Sequence, residues 1–94
     1  MNNKVIYIVN CKETTIDENG ELIVDVSTCD EGYLNEEDAI KRCWELSDHR
    51  FNELMDEDGH GVYRDSNENG DWVCVNRNGD TYEYSVAKVH VKGI

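Results

Sequence analysis

The sequence predicts a two-layer α+β domain: an antiparallel sheet of four to five strands, in the chain order ββαβββ, with one amphipathic helix packed across one face. Three observations predict it. Runs of β-branched and aromatic residues are separated by Asn-Gly dipeptides, the stretch from Asn35 to Asp56 switches to helical periodicity, and 94 residues suffice for one core but not for two. A helix laid across one face of such a sheet is the simplest way to bury its apolar stripe, so residues 1–94 are expected to form a single domain.

Residues 4–11 (KVIYIVNC) are β-branched and aromatic and read as a strand central in its sheet or buried on both faces. Residues 21–28 (ELIVDVST) alternate, with Leu22, Val24 and Val26 on one face and Ile23, Asp25 and Ser27 on the other. Between them Asp17-Glu18-Asn19-Gly20 is a turn signal, and the two strands should form a hairpin. A two-residue turn would set Ile16 opposite Ile23 and Val24 opposite Thr15.

The helix follows. Ile40, Cys43, Trp44, Ser47, Phe51, Leu54 and Met55 recur at steps of three and four, which places Trp44 and Phe51 in the core. Asn35 can cap the first turn, where Glu36, Glu37 and Asp38 suit the positive end of the helix dipole, and Gly59 and Gly61 stop the helix. Three strands come next, at residues 61–65, 71–77 and 81–92, joined by turns at Asn69-Gly70 and Asn78-Gly79. A two-residue type I′ loop at Asn78-Gly79 would put Val75 opposite Tyr82 and Val73 opposite Tyr84. In the last strand Tyr82, Tyr84 and Val86 have one parity and Ala87, Val89 and Val91 the other. Either a bulge lies near Ala87 or the two sets face different layers.

Composition excludes several functions. With 21 acidic and 9 basic residues the net charge is −12, so the surface cannot grip nucleic acid through its phosphates and is repelled by anionic membranes. The five apolar residues from Val5 to Val9 are too few for a signal-peptide core or a membrane span, and the expected location is cytoplasmic. Cys11, Cys29, Cys43 and Cys74 show no C-x-x-C spacing and are expected to be reduced thiols without a metal. Asp65 to Gly70 matches the first half of a calcium loop, but Asn76 stands where a bidentate glutamate should close it. The segment therefore reads as a polar turn. No hydrolase, phosphate-binding or zinc-protease motif accompanies His49, His60 and His90, so neither an enzyme nor a cofactor is expected.

The charge is unevenly placed. Residues 1–29 carry −3, residues 30–58 carry −8 and residues 59–94 carry −1. The expected partner-binding residues are therefore Glu36, Glu37, Glu45, Asp48, Glu53, Asp56, Glu57 and Asp58, on the outer and side surfaces of the helix and at its end. Carboxylates along a rigid element can imitate nucleic-acid phosphates and occupy a basic groove on another protein. A second expectation is self-association through strand edges, at the first strand or at residues 81–92.

In size, charge and strand-strand-helix-strand order, over the whole chain and without a shared signature motif, the sequence resembles the small acidic proteins of phages and mobile elements, the anti-CRISPR proteins among them. The resemblance implies a non-enzymatic, stoichiometric inhibitor in the host cytoplasm. Its partner would be a basic nucleic-acid-binding protein or nuclease of a host defence complex, such as a CRISPR-Cas effector. It carries over no catalytic residues.

Overall fold

The computed structural model describes residues 4–29, 32–68 and 70–91. Asn69 of the expected Asn69-Gly70 turn and Lys92 at the end of the expected last strand lie outside the described residues. The elements are β1 (Lys4–Ile16), β2 (Leu22–Thr28), α1 (Glu36–Asp58), β3 (Tyr63–Ser66), β4 (Trp72–Val75) and β5 (Thr81–Val91). All five strands join one antiparallel sheet in the order β2-β1-β5-β4-β3. The helix lies on one face of it, which is the two-layer ββαβββ architecture the sequence predicts.

β1 runs five residues further than its apolar run, because Lys12, Glu13 and Thr14 of its polar second half are laddered on both sides by β2 and β5, and Thr15 and Ile16 by β2. It is not buried on both faces: Val9 is its one fully buried residue. β1 and β5 pair without interruption from Lys4 opposite Val91 to Thr14 opposite Thr81. There is no bulge at Ala87, so the two apolar sets of β5 face different layers. Tyr82, Tyr84 and Val86 join Val9, Cys11, Trp72 and Cys74 on the helix side. Ala87, Val89 and Val91 join Ile6 and Ile8 on the opposite side.

Both hairpin registers differ by one residue from the two-residue-turn expectation. Ile16 lies opposite Leu22, Trp72 opposite Tyr84 and Val75 opposite Thr81. Three loops share one pattern, an Asp or Asn at the first position and Asn-Gly-acid at the last three: residues 17–21, 67–71 and 76–80. In each, the first residue's N–H donates to the fifth residue's carbonyl and its own carbonyl accepts from the glycine N–H, at 2.9–3.2 Å. The first side chain also bonds inside the loop. Asp17 Oδ1 accepts from the N–H groups of Asn19 and Glu21, and Asn76 Oδ1 from those of Asn78 and Asp80, each at 2.9 Å. Gly20, Gly70 and Gly79 have positive φ, and in the loops 17–21 and 76–80 no non-glycine residue does, so the type I′ turn, which needs two such residues, does not form there.

On α1, Ala39, Cys43, Ser47 and Leu54 are buried against the sheet. The stripe is turned slightly from its expected position. Ala39 and Leu46 join it, whereas Trp44, at 47% exposure, does not. Trp44 covers Arg64, whose guanidinium lies 4.0 Å from the Trp72 ring centre and 5.2 Å from that of Trp44. Arg64 also donates to Ser47 Oγ at 3.0 Å, to Asp48 Oδ1 at 3.3 Å and to the Trp44 carbonyl at 3.1 Å. One arginine thus fastens the short β3 to the helix.

Candidate functional site: the acidic helix and the sheet end it meets

The helix is held at both ends by its own sequence. Asn35 Oδ1 accepts from the Glu37 N–H at 2.9 Å, and Gly59, with φ of 73°, donates to the Met55 carbonyl at 2.8 Å. The helix does not fray after Leu54, so Asp56, Glu57 and Asp58 occupy its last turn, at the negative end of its dipole.

The eight predicted acidic residues fall into two groups. Asp48, Glu53 and Asp58 are engaged within the molecule. Asp48 binds Arg64, Glu53 lies 3.3 Å from His49 and 4.0 Å from Arg50, and Asp58 Oδ2 accepts from the Arg77 N–H at 3.1 Å. Glu36, Glu37, Glu45, Asp56 and Glu57 are exposed and form no ion pair among the described residues. At about 100° per residue, Glu45 and Asp56 point away from the sheet and Glu37 lies on the Trp44 flank. Glu36 and Glu57 share the azimuths of the packed residues Leu54 and Ala39 but lie at the two ends, where they stay exposed.

The sheet extends this acidic surface. Tyr82, across from Glu13 and on the helix side, has its phenol pushed up first by burial and then by Glu13, Asp80 and Glu57, with Arg50 opposing them. Three elements thus bring carboxylates to one side chain. Asp80 Oδ1 also accepts from the Ile16 N–H at 3.4 Å, which sets the loop bearing Asp17, Glu18 and Glu21 beside the loop bearing Asp80. The helix C-terminus and this end of the sheet form one acidic surface. Sequence reading missed Glu13 and Asp80 because the signal was the non-local pairing of β1 with β5, which no local pattern announces.

The four cysteines are free thiols, and burial is the leading cause that pushes up Cys11, Cys43 and Cys74, Cys43 to about 12. Such thiols are poor nucleophiles. His49, His60 and His90 are all exposed. Among the described residues no group of three or more His, Cys, Asp or Glu is placed to hold a metal ion. A cleft of about 350 Å³ lies on the sheet face away from the helix, where Lys12, Asp65, Val73, Glu83 and Ser85 line it. Among the described residues no helix is long and apolar enough to cross a membrane.

The thiols and phenols set an alkaline limit. Cys43, at 9.0 in a free chain, and Tyr84, at 10.0, are both raised to about 12, each chiefly by burial. A raised folded value means that the folded state holds its proton more tightly. That stability is present below pH 9 and is lost as pH rises toward 12. The thermal midpoint should therefore turn downward only above pH 9, and Cys43→Ala should make the fall shallower; a profile flat to pH 12 would contradict this.

Compared with known proteins, the chain matches no family model, no curated sequence and no solved structure.

Proposed function

We propose that the protein is a non-enzymatic inhibitor of the anti-CRISPR type, which occupies a basic nucleic-acid-binding groove of a host defence complex such as a CRISPR-Cas effector. The observation that supports this most is the set of five exposed carboxylates, Glu36, Glu37, Glu45, Asp56 and Glu57, that form no ion pair among the described residues and stand on one rigid helix of 23 residues, about 34 Å long. Fixed charges on a preformed element lose little entropy on docking, steer a basic partner over long range and compete with phosphates for the same arginines and lysines. Glu13 and Asp80 extend the surface past the helix end. The partner in this reading is protein and not nucleic acid, the site of action is the host cytoplasm, and no cofactor takes part.

The test is competition between the protein and labelled target DNA for a guide-loaded effector. Wild-type protein should displace the DNA, less effectively as salt rises. Changing Glu37, Glu45, Asp56 and Glu57 together to lysine should abolish displacement and leave the circular dichroism unchanged. Asp48 and Asp58 are left intact because they hold Arg64 and the 76–80 loop. Undiminished competition by the quadruple variant would sink the proposal.

A further inference from the structure

β2 is an edge strand with an unusual position. Among the described residues it contacts β1 and no other element, and all seven of its residues are exposed, Leu22 at 68%, Val24 at 54% and Val26 at 62%. The strands named in the sequence reading as free edges are not the outer ones. β1 lies between β2 and β5, and β5 is bordered by β1 and, through Tyr84, by β4, with its second edge open only beyond that point. Of the two outermost strands, β3 has four residues, among them Arg64 and Asp65. β2 is longer and carries a single charge, Asp25, with no proline, lysine or bulge of the kind that blunts an edge.

The direction of its backbone groups follows from three bonded pairs. Asp17 bonds Glu21, Cys29 bonds Val9 across the same register, and Tyr7 bonds Tyr33 on the same side of β1. Odd-numbered residues of β2 therefore point their N–H and C=O groups at β1, and Leu22, Val24, Val26 and Thr28 point theirs outward. That outward row is self-complementary. With a two-fold axis through Val24, each Val24 faces its own counterpart and each Leu22 faces a Val26, so six backbone hydrogen bonds form and the apolar residues align in one row. Shifting the axis by one residue, to Asp25, would instead set two like charges directly opposite each other.

We propose that β2 pairs antiparallel with β2 of a second copy of this chain about a two-fold axis through Val24, joining the two sheets into one. The symmetry is closed, so the product is a dimer and not a fibre. Because each copy carries −12, added salt screens the repulsion and strengthens the pairing. That response is opposite in sign to the contact made by the acidic helix.

Sedimentation and amide hydrogen exchange of the full chain test this together. At high micromolar concentration the wild type should sediment at twice 10.8 kDa, more completely at higher salt. Val24→Lys and Val24→Pro, the latter removing an outward donor and no bond to β1, should be monomers with unchanged circular dichroism. In the wild type the amides of Leu22, Val24 and Val26 should gain protection as concentration rises, and those of Ile23 and Asp25 should be protected throughout. A wild type that stays monomeric, a dimer that survives both substitutions, or outward amides that exchange freely in a dimer would each overturn the proposal.

Discussion

Arg64→Ala should cost about 2–4 kcal/mol, a large fraction of the roughly 5–14 kcal/mol expected for a chain of this length. The side chain, 15% exposed, gives up three hydrogen bonds and its place against two tryptophans. Ser47, fully buried, loses a donor to its hydroxyl oxygen, though that hydroxyl still donates to the Trp44 carbonyl at 2.8 Å. Arg64→Lys should recover little, because an ammonium cannot reach Ser47, Asp48 and the Trp44 carbonyl at once while lying flat on Trp72. Denaturant titration followed by tryptophan fluorescence reports both effects, since Trp44 and Trp72 are the two tryptophans of the chain. A variant within 1 kcal/mol of wild type would show that β3 is held by other contacts.

Gly70→Ala should be comparably damaging, at about 2–4 kcal/mol, and Gly79→Ala much milder, at about 1 kcal/mol. Both glycines stand at the same position of the shared loop, with φ of +86° and +90°. They differ in surroundings. A Cβ on Gly70 would lie 2.9 Å from Ile40 Cγ2 on the helix, whereas one on Gly79 meets nothing within 4 Å. The pair separates backbone strain from overpacking, and equal losses in a thermal melt would show that Ile40 yields freely.

What was legible in the sequence was what is encoded locally. The helix, its Asn35 and Gly59 caps and the order of the strands follow from periodicity and capping chemistry over a few residues. Register was not, because Asn-Gly suits both a two-residue and a three-residue loop. The choice is made by the side chains of Asp17 and Asn76, which bond two residues and four residues ahead. Trp44 was misplaced for a related reason: its apolar ring fits the stripe by spacing, but its partner is a cation delivered by β3. The acidic residues of the helix were legible one by one. Which of them stay free was legible only in part: Glu53 meets Arg50 and His49 at helical spacings of three and four, whereas Arg64 and Arg77 reach Asp48 and Asp58 through contacts that only the assembled fold creates.

The pairing of β1 with β5 also sets the order in which the molecule can assemble. The first and last strands of the chain are neighbours in the middle of the sheet, so the longest ladder closes a loop spanning nearly all the residues between them. Such a contact is entropically the most expensive to make and comes late. During synthesis the β1–β2 hairpin and the helix emerge with only part of their packing surface, Val9 and its neighbours on β1, since Tyr82 and Tyr84 are still untranslated. Until β5 arrives, β1 exposes a second unpaired edge, and it is in that interval that the nascent chain is most open to aggregation.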